Sequence, residues 1–203
     1  MVTVGKDVSQ VEQRLVAGLL ACPGCGGRLA PWGHARPRVL RGPGESTRPV
    51  SPRRAICCDC AGTHVLLPVS ALLRRADVVE VIGAGLGWAA AGWGHRRIAV
   101  RLGRPAATVR GWLRRFRDRA EAVRSGFTAL LVGLDPVAVL PEPTAAVVGD
   151  AVSAVVAAAV ATVRRWGAVV DGLSPWELAG AVTSGRLLAP TDTPMSINTS
   201  CPW

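Results

Sequence analysis

The sequence predicts a mostly α-helical protein with a small cysteine-bearing β ribbon at its N-terminal end, a three-helix unit in the middle and a C-terminal helical segment. Three observations predict it. Two Cys-x-x-Cys turns, Cys22/Cys25 and Cys57/Cys60, stand 31 residues apart. Residues 95–117 place small, glycine and apolar residues at the offsets of two crossing helices. Beyond residue 125 the apolar residues recur at helical spacing.

Residues 1–19 read as an N-terminal arm. They contain Lys6, Asp7, Glu12 and Arg14 and no continuous apolar core, so no signal peptide is evident. Six cysteines without a secretory leader point to metal before disulfides. Residues 20–68 therefore read as a zinc ribbon. Zinc takes four tetrahedral ligands, and each Cys-x-x-Cys turn supplies two thiolates from one side. Cys22, Cys25, Cys57 and Cys60 are the expected ligands of one structural Zn²⁺. The glycines after each turn, as in Cys22-Pro-Gly-Cys25-Gly-Gly, let backbone amides approach the sulfurs. The long gap suits short strands punctuated by Pro31, Pro37, Gly42, Pro43, Gly44, Pro49 and Pro52. A thioredoxin-like redox pair would open a helix after a buried strand, which Pro31 and the neighbouring glycines do not support. Cys58 is either free or a competing ligand, and His34 and His64 read as structural neighbours. Cys201 reads as an exposed thiol in the tail.

Residues 69–125 read as a helix-turn-helix domain. Its first helix, about Ala76–Ala91, turns Val78, Val79, Ile82 and Leu86 inward, and its glycines allow close helix approach. The run Gly83-Ala-Gly85-Leu-Gly87-Trp88 is not a dinucleotide fingerprint, because the third glycine is displaced and no acidic residue follows at the required distance. In the second helix Ile98 and Leu102 lie one turn apart, with Ala99 at the crossing and Gly103 at a turn that needs positive φ. Pro105 then suits the first turn of a third helix, the recognition helix. It buries Val109, Trp112, Leu113 and Phe116 and leaves Arg110, Arg114 and Arg117 opposite. Charge follows the same division. Residues 1–125 hold 21 Lys/Arg against 8 Asp/Glu, whereas residues 126–203 hold 3 against 6. A basic N-terminal part of this kind attracts phosphate backbones.

Residues 126–188 read as a small helical domain. Asp135-Pro136 and Pro141-Glu-Pro143 break it, and Ser174-Pro-Trp-Glu177 is a capping box. Residues 144–163 are mostly Ala and Val, but Asp150 lies inside the stretch, so a bundle helix with Val148, Val152, Val155, Val156 and Val163 inward is expected rather than a membrane span. Residues 189–203 read as a disordered tail.

The Cys22–Gly27 turn, the Thr63–Pro68 strand and the pair Ile98-Ala-x-x-Leu-Gly103 and Thr108-Val-Arg-Gly-Trp-Leu-Arg-Arg-Phe116 resemble a family of helix-turn-helix proteins from GC-rich bacteria. The arrangement is similar to the N-terminal region of insertion-sequence transposases. It covers about residues 20–125 and implies DNA binding and zinc at the four cysteines, but supplies no activity. A transposase also needs three carboxylates on one Mg²⁺ site. The six acids after residue 125 sit in helical or tail segments without strands to gather them, so no enzyme is expected.

The expected function is binding of double-stranded DNA, as a transcriptional regulator or transposition-associated accessory factor. By the geometry of such units, Ala106, Ala107, Arg110, Gly111 and Arg114 face base edges, with Arg110 and Arg114 as guanine readers. Arg96, Arg97, Arg101, Arg104 and Arg115 are expected on phosphates. A cytoplasmic, nucleoid-associated protein follows. A homodimer is compatible, because one such unit reads few base pairs. The competing classes are an adaptor for a polymerase, recombinase or transposase and a degenerate transposase or nuclease fragment.

Overall fold

In the computed structural model, which describes residues 1–167, 170 and 172–190, all six strands and one short helix lie in the first third of the chain and five helices follow. The order is β1 (Val2–Val4), α1 (Val8–Val16), β2 (Leu29–His34), β3 (Arg38–Arg41), β4 (Thr47–Val50), β5 (Arg53–Cys57) and β6 (Thr63–Pro68). Then come α2 (Val79–Ala90), α3 (His95–Leu102), α4 (Ala106–Leu134), α5 (Val147–Trp166) and α6 (Pro175–Val182).

Four strands form one sheet in the order β1-β6-β5-β2, with β1 parallel to β6 and the other pairs antiparallel. Its core is small. Val4, Leu15, Leu20, Leu29, Ala55 and Leu66 close around Cys22 and Cys57. Residues 1–19, expected as an arm, supply both β1 and α1 to this unit. Asp7 caps α1, its carboxylate accepting from the Ser9 and Gln10 amides at 2.8 and 3.2 Å, and Leu15 is buried beneath. A three-residue strand and a nine-residue helix carry too little periodicity to announce themselves, and packing stabilises them more than propensity does.

The hairpin β3–β4 leaves this sheet and forms a two-stranded sheet of its own. Leu40 at its centre is buried in the helical core. The 31 residues between the cysteine pairs are thus an excursion that ties the cysteine-bearing sheet to the helices.

The second core runs from Leu40 to Leu188 without a break. The expected boundary between residues 125 and 126 does not exist, because α4 passes straight through it. Val109, Trp112, Phe116, Ala120, Val123, Phe127 and Leu130 form one continuous buried stripe along its 29 residues, so the two expected helical domains share one core. The helix ends at Leu134, where Asp135 is extended ahead of Pro136.

Helix α5 packs along α4 with its alanines rather than its valines inward. Ala151, Ala154, Val155, Ala158, Ala159 and Ala161 are buried, whereas Val156, Val160 and Val163 are nearly half exposed. The expected inward face is corrected accordingly, with only Val155 fully buried and Val148 and Val152 partly so. Small side chains let two helix axes approach closely, and β-branched valines there would hold them apart. By length and composition α5 is the one described helix apolar enough to cross a membrane.

Helix α6 begins with the expected capping box. The Glu177 amide donates to Ser174 Oγ at 3.2 Å, and the Ser174 amide donates to Glu177 Oε2 at 3.0 Å. It lies against α2 because Gly83 leaves room for Trp176, whose ring a Cβ at Gly83 would strike. Leu187, Leu188 and Ala189 are also buried, and the Pro190 carbonyl accepts from Arg119 at 2.6 Å. The expected tail therefore begins as packed chain, and residues 191–203, with Cys201, lie outside the described residues.

At the α2–α6 contact two carboxyls meet. Glu177 is buried and bound by Lys6 at 2.7 Å, and Lys6 also donates to the Gly172 carbonyl at 2.8 Å. Burial, together with the neighbouring Glu177, pushes the Glu80 carboxyl up to about 7. A raised folded-state value means that stability present at acid pH is lost as pH rises through about 7, when Glu80 ionises beside Glu177. Glu80→Gln mimics the protonated form. It is expected to raise stability by about 1 kcal/mol at pH 8.5, after allowing for screening of a half-buried group, and to change little at pH 4.5; thermal melts at the two pH values check this.

Candidate metal centre and nucleic-acid interface

Two tight turns present the four cysteines. The first is closed by the Ala21–Arg28 bridge and by the Gly26 amide donating to the Cys22 carbonyl at 2.8 Å. The second joins β5 to β6, with the Ala61 amide donating to the Cys57 carbonyl at 3.1 Å. Left-handed backbone at Gly26 and Ala61 completes the turns. Cys22 Sγ lies 3.8 Å from Cys60 Sγ, and Cys25 Sγ lies 3.4 Å from Cys57 Sγ. All four sulfurs fall within 4.8 Å of one another. A tetrahedral ion with metal–sulfur bonds of about 2.3 Å needs sulfurs about 3.8 Å apart. The four expected ligands are therefore together at metal-binding distances.

Backbone amides reach two of the sulfurs. The Gly24 amide donates to Cys22 Sγ and the Asp59 amide to Cys57 Sγ, both at 3.4 Å. The Gly24 and Cys25 amides hold the Cys22 thiol down at about 6. The Gly27 amide also lowers Cys25, but the crowding sulfurs of Cys57 and Cys60 outweigh it and push that thiol up to about 12. Four sulfurs within 4.8 Å of one another cannot all ionise without a cation to offset their mutual repulsion. Cys58, left open by the sequence, lies outside the cluster: it is exposed, and its amide donates to the Arg28 carbonyl at 2.9 Å. His64 is closer than expected. Its Nε2 stands 3.3 Å from Cys22 Sγ, while its Nδ1 faces the Met1 amino group at 3.0 Å. With Nδ1 accepting from that amine, Nε2–H donates to the sulfur, an orienting contact outside the ligand set. His34 lies on β2, paired with Arg53 of β5, and is not in the cluster.

The second surface is built by α3 and α4. Ile98 and Ala99 are buried, and Gly103 turns the chain with φ 64° in the left-handed region. Its amide donates to the Val100 carbonyl at 3.2 Å. Pro105 then precedes Ala106, and no side chain caps the first turn of α4. Ala106, Ala107, Arg110 and Arg114 are exposed and Gly111 is half-buried. Arg117 continues the exposed row one turn beyond Arg114. The opposite face of the helix, with Val109, Trp112 and Phe116, is buried.

Arg96, Arg97 and Arg101 are exposed on α3. Two of them rest on aromatic rings that the sequence reading passed over. Trp88 and Trp93 stack with centroids 5.6 Å apart, and the Arg97 guanidinium lies 3.6 Å above Trp93. Arg101 stands 5.9 Å from Trp88. Arg115 is half-buried and donates to the Gly111 carbonyl at 3.2 Å.

Arg104 does not fit the role of phosphate contact and is corrected. Its side chain is 7% exposed and its Nε meets Asp77 Oδ1 at 2.7 Å. The same guanidinium donates to the Gly42 and Gly44 carbonyls at the tip of the β3–β4 hairpin. Arg41 holds the other Asp77 oxygen at 2.7 Å. Arg104 is thus the bolt between hairpin and helices. Its signal was Asp77, an acid flanked by apolar residues at the start of a helix, for which a buried cation was the natural partner.

Comparison with protein-family models, with curated proteins and with solved structures returned no match to this chain.

Proposed function

We propose that the protein binds double-stranded DNA through a helix-turn-helix formed by α3 and α4, with a zinc ribbon as a structural module, and that it acts as a transcriptional regulator or transposition-associated accessory factor. The observation that carries this reading is the two-faced first half of α4. Its apolar side is anchored in the core while Arg110, Arg114 and Arg117 are exposed on the other, which is the arrangement that major-groove insertion requires. The uncapped first turn of α4 adds amides suited to a phosphate. Arg97 and Arg101, laid on Trp93 and Trp88, are partly ordered before binding, which lowers the entropy cost of a backbone contact. The resemblance to the N-terminal regions of insertion-sequence transposases agrees with this reading.

The reading is binding without chemistry. Among the described residues the cysteine set is the only group of three or more His, Cys, Asp or Glu side chains close enough to hold a metal. Zinc is the ion that four thiolates at tetrahedral distances favour.

Base readers and phosphate contacts separate in a titration. Arg110→Ala is expected to weaken a preferred site by about 1–3 kcal/mol and to leave random duplex almost unchanged. Arg101→Ala is expected to weaken both alike and to reduce the slope of log K against log salt by about one. Fluorescence anisotropy at several salt concentrations gives both numbers. Equal losses on both DNAs for Arg110→Ala would make it a phosphate contact.

A further inference from the structure

A cleft of about 320 Å³ opens between α1 and strand β4, in the size range of small-molecule sites. Its walls are mixed in a particular way. Val8, Val11 and Val50 supply apolar surface, and Lys6, Arg48 and Arg53 supply cations. Two of those cations are already neutralised. Arg53 grips Glu12 with two parallel hydrogen bonds, Nε to Oε2 at 2.8 Å and Nη2 to Oε1 at 2.7 Å. Lys6 is held by the buried Glu177 carboxylate at 2.7 Å.

Arg48 is different. Its one described partner is the Ser70 hydroxyl, at 3.5 Å from Nη1, the outer limit of a hydrogen bond, and no described carboxylate lies within ion-pair distance of it. A guanidinium offers two parallel donors matched to a planar carboxylate. One uncompensated cation suits a monoanion, and the only other titratable group on the cleft wall, His34, sits near Glu12. A phosphate dianion would leave excess negative charge against apolar walls.

We propose that this cleft is a binding site for a small organic monocarboxylate, its carboxylate paired with Arg48 and its apolar chain or ring against Val8, Val11 and Val50. The site joins two structural units, since α1 belongs to the cysteine-bearing sheet and β4 to the hairpin packed on the helices. An occupant would bridge them.

The test titrates the full zinc-loaded chain with octanoate and phenylacetate, each beside its primary amide, with acetate as the short control, by calorimetry without DNA. Saturable binding of at least one of the two acids is expected, about tenfold tighter than its amide and than acetate. Arg48→Gln, a change at an exposed side chain, is expected to weaken it about tenfold, while Arg36→Gln outside the cleft leaves it unchanged. No saturation by either acid up to about 10 mM would overturn the proposal. So would equal binding by the amide, by acetate, or by Arg48→Gln. None of these readouts involves DNA, so the outcome is independent of the function proposed above.

Discussion

Cys57→Ser is expected to abolish metal binding and to unfold the β1-β6-β5-β2 sheet while leaving helices α2–α6 in place. The small core around the cysteines holds six other buried apolar residues, none larger than leucine, too few to offset the entropy of ordering the segment around them. The ion must supply the difference. Four-ligand zinc sites contribute on the order of 10 kcal/mol to folding near neutral pH, far more than a single side-chain contact. Helices α2–α6 are buried in a separate core, so most of the helical circular dichroism should persist while amides of β5 and β6 lose protection from hydrogen exchange. A chelator should do the same to the wild-type chain, and acidification should release the ion because protons compete for the thiolates. Cys58→Ser, outside the cluster, should retain one ion per chain. Metal content by atomic emission together with exchange by mass spectrometry reads all four outcomes. Full metal content and an unchanged melt for Cys57→Ser would exclude the assigned ligand set.

Arg104→Ala is the second large effect. Asp77 is 2% exposed and shares its two oxygens between Arg104 and Arg41. Removing one partner of a buried ion pair costs about 3–5 kcal/mol, because the remaining charge stays desolvated. Arg41 keeps part of the compensation, so the lower end applies, and the melting temperature of a chain this size should fall by roughly 6–12 °C. The carbonyls of Gly42 and Gly44 lose the same donor, freeing the hairpin tip. DNA affinity measured below the melt should keep its salt slope. An unchanged melt with a slope reduced by about one would instead return Arg104 to the DNA backbone.

Local signals were legible in the sequence and long-range ones were not. The cysteine turns, the Gly103 turn and the Ser174–Glu177 capping box depend on residues within a few positions of one another, and each stands where its spacing placed it. The face that α5 buries depends on how closely α4 approaches, which no periodicity within α5 encodes. Alanine and valine fit the same helical stripe equally well there. The boundary at residue 125 was drawn from a change in charge, but charge describes the surface of α4 and its buried stripe runs on regardless. Arg104 and Asp77 lie 27 positions apart in sequence, and the hairpin that Arg104 clasps lies farther still. Their contact is a product of tertiary packing alone.

The most direct test of the central claim is selection of random or sheared genomic duplex by the zinc-loaded protein at physiological salt, with sequencing of what is retained. The account predicts enrichment of one short motif, abolished by Arg110→Ala with Arg114→Ala while weak retention of bulk DNA persists. Retention of DNA with no enriched motif, or an identical motif from the double variant, would contradict it.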